Sequence, residues 1–202
     1  MTFHHLTIKK ITRETHDTVS LTFDVPAALQ SAYAFQAGQY VNLRIDMNVN
    51  KQTRSYSICS TPNDTSIISV GVKKMENGWM SKFVNDELKE GQSIEVSTPD
   101  GKFFYKENGN TSRHHVLVAG GSGITPCLSI IKTIIAKEAN SKITLIYSVK
   151  GKADKIFGEE LESIAASNPN FKIKYLFTFE GDKMIDTEYA KELIQAIDNF
   201  KV

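Results

Sequence analysis

Residues 53–61, Thr-Arg-Ser-Tyr-Ser-Ile-Cys-Ser-Thr, decide how this chain is read. The run has the look of a β-strand, yet it carries an arginine between two small hydroxyl residues, with a tyrosine following. A regular pleat puts Arg54 and Tyr56 on one face and Ser55 and Ser57 on the other. An arginine fork suits phosphate, and a tyrosine ring suits stacking on a flat heterocycle. Ser57 can offer its hydroxyl or its N–H to a ring heteroatom. The plainer reading is a barrel strand with a surface arginine and a half-buried tyrosine.

Working outward, the segments 6–15, 18–25, 38–45, 66–74 and 92–99 are also short, rich in Val, Ile and Thr, and partly alternating. Gly38, Pro62-Asn63-Asp64 and Pro99-Asp100-Gly101 punctuate them as turns. About six strands of this kind predict a small antiparallel barrel, because closure removes exposed edges. One helix interrupts them over 79–88, with Met80, Phe83, Val84 and Leu88 at helical spacing.

Near residue 112 the pattern changes. Strands over 114–121, 142–149 and 171–179 alternate with helices over 125–138, 157–167 and 186–200. Such alternation predicts a parallel sheet with helices on its faces. The polar stretch 106–113 reads as a linker, so the domains are expected at 1–111 and 112–202.

Two glycine-marked turns lead into helices. In Gly120-Gly121-Ser122-Gly123-Ile124-Thr125-Pro126 the glycines permit a tight turn and close approach to a ligand, and the helix start offers free N–H groups. Pro126 stands where a third fingerprint glycine would be, and proline is welcome in a first helical turn. The loop is either a nucleotide cradle or a tight structural turn. In Asn77-Gly78-Trp79-Met80-Ser81, Ser81 is either a helix cap or part of a phosphate cradle.

Composition excludes several classes. The 202 residues are 41% hydrophobic and 23% charged, with formal net charge +1, which gives no support to nucleic-acid binding. No apolar run is long enough to span a bilayer, and Met1 is not followed by an apolar signal core, so a cytoplasmic protein is expected. Cys59 and Cys127 lie in apolar stretches and read as buried reduced thiols, and two cysteines do not hold an iron–sulfur cluster. The pairs His4-His5 and His114-His115 read as strand ends, with no metal site expected.

Taken in order, Arg54-Ser55-Tyr56-Ser57, Gly78-Trp79-Met80-Ser81 and Gly121-Ser122-Gly123-Ile124-Thr125-Pro126 resemble the ferredoxin–NADP reductase superfamily. Phe35-Gln36-Ala37-Gly38-Gln39-Tyr40 and Asp100-Gly101-Lys102-Phe103 add to the likeness. The chain is most similar to reductase components of bacterial multicomponent oxygenases, of the phenylacetyl-CoA oxygenase type, which implies a place in phenylacetate degradation. The resemblance implies a six-stranded antiparallel Greek-key barrel that binds FAD, followed by an NAD(P)-binding α/β domain. Arg54 would bind flavin phosphate, with Ser55 beside it. Tyr56 would pack on the isoalloxazine, Ser57 would lie near its N5, and Val72 and Lys73 would line the ring. The turn Gly78, Trp79, Met80 and Ser81 would receive the pyrophosphate. Gly121, Gly123, Thr125 and Pro126 would form the nucleotide turn, with Thr125 near the reacting rings. Tyr56, Ser57 and Thr125 are thus the expected catalytic residues. Ser148 and Lys150 would meet the adenosine ribose or its 2′-phosphate, and a lysine there leaves NADPH or NADH open. The implied activity is hydride transfer from NAD(P)H to flavin, then electron delivery to an iron–sulfur acceptor.

Members of this family continue with a further strand carrying a C-G-P or C-G-x-x-x-M pattern, which does not occur here. The sequence therefore reads as part of a longer protein, with an incomplete nucleotide-binding sheet and the strand at 116–119 left as an edge. The rival readings are a non-catalytic flavin-binding or assembly subunit, a truncated inactive fragment, and a protein that binds neither cofactor.

Overall fold

Alternate burial of apolar side chains drives the first half of the chain into strands. In the computed structural model, which describes residues 1–47, 50–106 and 112–197, β1 (Phe3–Thr15) buries Leu6 and Ile8 and turns Thr7 and Lys9 outward. It is followed by β2 (Thr18–Asp24), β3 (Tyr40–Met47), β4 (Asn50–Ser57), β5 (Ile67–Lys73), α1 (Trp79–Asp86) and β6 (Ser93–Ser97). The six strands form one sheet in the order β4-β3-β6-β1-β2-β5, and the pairings are antiparallel. Leu6, Leu21, Phe23, Val41, Leu43, Ile58, Val70 and Val96 make its core.

Among the described residues, a short stitch joins the two edge strands. Ile58 bridges Val70, Cys59 N–H donates to Ser69 O at 2.8 Å, and Ser69 N–H donates to Ser60 Oγ at 3.0 Å. Toward Arg54 on one side and Lys73 on the other, β4 and β5 part, and no further β4–β5 pairing is formed among the described residues. The antiparallel sheet is thus closed at one end of this seam and open at the other.

The second half forms β7 (His114–Gly120), α2 (Ile124–Lys137), β8 (Lys142–Val149), α3 (Gly158–Ser167), β9 (Phe171–Phe177) and α4 (Thr187–Gln195). The strands are parallel in the order β7-β8-β9, with β7 at one edge among the described residues. Val118 on β7 is correspondingly exposed. Tyr147, fully buried on β8, stands opposite Tyr175 of β9. The sequence pattern carries the final helix to 200, and residues 198–200 lie outside the described residues, as does 107–111 of the expected linker.

The chain divides into two compact units. One is Met1–Lys106 with Thr125–Thr133, and the other is the rest. Inside the first unit, buried Ser129 Oγ donates to Ser60 O at 2.7 Å. No helix is long and apolar enough to cross a membrane among the described residues.

Candidate active site

The open end of the seam is a cavity of about 570 Å³, within the usual range for a small-molecule site. Arg54, Ser55 and Tyr56 line it from β4, Lys73 from the end of β5, and Gly78, Trp79, Met80 and Ser81 from the turn into α1. Gln52, Met75 and Asn77 complete the wall, and sequence reasoning did not assign these three. Eight of the expected site residues, from three separate segments, thus share one cavity.

The β3–β4 register is unbroken and explains how β4 presents its side chains. Arg54 pairs with Leu43 and Tyr56 with Val41, so these four share a face; Ser55 pairs with Asn42 on the other face. Tyr56 is half-buried against the barrel core, and burial lifts its phenol pKa while the nearby Arg54 charge works against the rise. Arg54 lies where the barrel has opened, and its side chain is exposed. Its Nη1 donates to Thr53 O at 2.8 Å. That is its one hydrogen bond among the described residues, out of five available N–H donors. Ser55 Oγ donates to Asn42 Oδ1 at 2.7 Å.

The turn before α1 is held tightly by Ser81. Its hydroxyl donates to Gly78 O at 2.9 Å and accepts from Met75 N–H at 3.0 Å. Gly78, not Ser81, is the N-cap residue, so Ser81 shapes the loop from the third helical position. The first intrahelical bond is Lys82 N–H to Gly78 O at 3.0 Å. Helix geometry therefore leaves the N–H groups of Trp79, Met80 and Ser81 without an intrahelical acceptor, at the positive end of the helix dipole. Trp79 stacks on Phe83 with centroids 5.3 Å apart.

Lys73 is paired. Its Nζ lies 3.2 Å from Asp17 Oδ2, in the turn between β1 and β2. Burial favours protonation of Asp17, but hydrogen bonds from Thr15, Thr18 and Lys73 win and hold its pKa below the ordinary value. Val72 is fully buried in the barrel core, and Ser57 ends β4 opposite Tyr40, half-buried; neither side chain lines the cavity.

In the second unit, Gly121 adopts φ +49° and opens a short 3₁₀ turn that runs through Gly123 into α2. A Cβ placed on Gly120, Gly121 or Gly123 would meet nothing within 4 Å, so the loop borders open space. Tyr147 Oη anchors it by donating to Gly121 O at 3.1 Å. Thr125, buried, and Pro126 lie in the first turn of α2, where the chain has passed into the first unit. Ser148 pairs with Gly120 and Leu176 near the carboxyl ends of the strands. Lys150 follows β8, and its Nζ is 5.7 Å from the ring centroid of Phe179, which is 78% exposed. Phe179 N–H donates to Lys150 O at 2.9 Å. The carboxyl ends of parallel strands are where such sheets receive ligands.

A family model for an oxidoreductase FAD-binding domain matches residues 5–105, and one for an oxidoreductase NAD-binding domain matches residues 117–198. The chain belongs to the ferredoxin-reductase family of FAD- and NAD-binding oxidoreductases. It is 34% identical to one component of the 1,2-phenylacetyl-CoA epoxidase of Escherichia coli K12, over 100% of this chain and 58% of that protein. It is also 34% identical to the ferredoxin reductase component of 3-ketosteroid-9-alpha-monooxygenase from Rhodococcus rhodochrous, over 81% of this chain and 46% of that one. Among solved structures, phthalate dioxygenase reductase, described as a modular structure for electron transfer from pyridine nucleotides to [2Fe-2S], is similar with TM-score 0.76 and 26% identity over 98% of this chain and 58% of that chain. A Neisseria gonorrhoeae ferredoxin NADP+ reductase with bound FAD and NADP shares the fold, with TM-score 0.74 and 22% identity over 91% of this chain and 71% of that one. The chain spans about half the length of the curated relatives it matches. The family's cofactors are FAD and a nicotinamide nucleotide.

The cavity suits the first of these. It combines a guanidinium bonded only to its neighbour's carbonyl among the described residues, a helix start with free N–H groups, and the rings of Tyr56 and Trp79. That donor set fits a flat ring with a phosphorylated tail.

Proposed function

We propose that this chain is the flavin and nucleotide portion of an NAD(P)H-dependent reductase serving an oxygenase, with residues 1–111 holding FAD and 112–202 the nicotinamide nucleotide. The observation that carries the reading is the single cavity shared by Arg54, Tyr56, Lys73 and the 78–81 turn. Arg54 supplies a charged donor for a flavin phosphate oxygen, and the α1 N–H groups supply donors for the diphosphate. Tyr56 would offer its ring to stack on the flavin, while Ser55 is occupied with Asn42 and stiffens β4. Bound FAD supplies the two-electron and one-electron chemistry that links a pyridine nucleotide to an iron–sulfur acceptor. In the same reading Ser57 and Thr125 would lie near the reacting atoms, and Val72, its side chain buried in the barrel core, would back the cavity wall without touching the ring. Gly121, Gly123 and Pro126 shape the nucleotide turn, and Ser148 and Lys150 meet the adenosine end.

The partner is an iron–sulfur protein or domain, and the setting is a cytoplasmic oxygenase system, with phenylacetyl-CoA oxidation as the specific case. Support comes from the relatives' names and from their shared 34% identity. The deciding experiment is colour and its loss. Purified protein reconstituted with FAD turns yellow, and anaerobic NADPH or NADH bleaches it. A yellow protein that neither nucleotide bleaches is a flavin-binding or assembly subunit, and a protein that takes up no flavin refutes the reading.

A further inference from the structure

Asn85, on α1, is buried and uses every polar atom of its side chain. Its Nδ2 donates to Ser81 O at 2.8 Å and to Val72 O at 3.1 Å. Its Oδ1 accepts from Arg13 Nη1 at 2.9 Å, and its backbone carbonyl accepts from Arg13 Nη2 at 2.8 Å. The guanidinium fixes which way the amide faces, because only an oxygen can meet it. The two amide hydrogens are thereby aimed at one carbonyl of β5 and one carbonyl of the helix's first turn. These are the two sides of the cavity wall that carry Lys73 and the 78–81 turn.

We propose that Asn85, oriented by Arg13, is the positioning residue for the α1 cradle, and so for the diphosphate end of the flavin cofactor. This rests on the reading of the cavity given above. Neither residue lines the cavity. Their effect on the cofactor runs through the placement of the Trp79, Met80 and Ser81 N–H groups. A general stabilising role would weaken every flavin alike. A positioning role weakens only ligands that reach the cradle.

The test is titration of the flavin-free 202-residue chain with FAD and with riboflavin, which shares the ring and lacks the phosphates, followed by fluorescence. Asn85→Asp is nearly isosteric and keeps an oxygen for Arg13, but turns two donations to carbonyls into repulsions. It should raise the FAD dissociation constant about tenfold, and that of riboflavin less than about twofold. Arg13→Lys, which keeps the charge and loses the fork, should show the same ligand-selective loss at about threefold, and carries the test if Asn85→Asp fails to fold. Equal losses for both ligands, or none, would overturn the proposal. If the native chain binds FAD no tighter than riboflavin, the assignment of the cradle to the diphosphate falls as well, and that failure shows without any variant.

Discussion

Ser81 Oγ stands 2.5 Å from where a Cβ on Gly78 would sit, and Met75 Cβ stands 2.9 Å from the same point. Gly78 has φ −95°, an ordinary value, so the space and not the backbone angle demands a glycine. Gly78→Ala should displace the Ser81 hydroxyl from Gly78 O and Met75 N–H and cost about 1–3 kcal/mol of stability, an overpacking cost. Thermal unfolding measures it. The double variant Gly78→Ala with Ser81→Ala should recover part of the steric loss. A single variant as stable as the native chain would show that the loop relaxes freely.

Arg54 contributes little to the fold, since its guanidinium is exposed and bonded only to the neighbouring Thr53 carbonyl among the described residues. Arg54→Ala should therefore leave stability within about 0.5 kcal/mol of native. It should weaken FAD binding by about 1.5–3 kcal/mol, the range for a charge-assisted hydrogen bond. Titration of the flavin-free variant decides the matter, and unchanged affinity would remove Arg54 from the phosphate.

Acid should loosen the barrel through Glu95. On β6 opposite Arg44 of β3, its carboxylate receives the Arg44 guanidinium at both oxygens, with Lys51 3.3 Å away. The Arg44 hydrogen bonds outweigh desolvation, and the pKa falls from 4.5 to about 2. A lowered folded-state pKa means stability that is present above the unfolded value and lost as pH falls through the folded one. The loss should therefore run from about pH 4.5 down to about 2. Denaturation midpoints across that window should fall less steeply in Glu95→Gln, which has no carboxylate to protonate. Parallel slopes in the two proteins would assign the acid sensitivity elsewhere.

Lys150 stands beyond the end of β8 beside Phe179 and near Lys152, which lies 3.8 Å from Glu180. A lysine free to meet a 2′-phosphate adds affinity for the phosphorylated nucleotide alone. Lys150→Ala should raise the dissociation constant for NADP+ about two- to fivefold at low salt, as for an exposed ion pair, and leave NAD+ nearly unchanged. Calorimetric titration with both nucleotides reads this directly. Equal losses, or none, would show that Lys150 does not read the 2′ position.

The sequence alone determined the two architectures, the strand motif at 54–57, the two glycine-marked turns and the family. Those features are local: a period of two in segments such as 66–74, strand–helix alternation after 112, and glycines at 78, 121 and 123 that mark backbone where a side chain is unwelcome or open space adjoins. Tertiary structure decided how the motifs meet. Nothing in 53–61 or 66–74 says that β4 and β5 join at Ile58 and Val70 and then part, leaving the open seam that forms the cavity. Local sequence leaves Ser81 as a cap or a phosphate ligand, and only the folded turn shows its hydroxyl bonded to Met75 N–H and Gly78 O. Lys73 acquires a carboxylate partner from the β1–β2 turn. Asn85 carried a faint signal, a polar residue four after Ser81 on the buried face of α1. Its partner Arg13 lies 72 residues away in the chain. Periodicity records which face of an element is buried, whereas a pairing over that distance exists only once sheet order and register have brought β1 against α1.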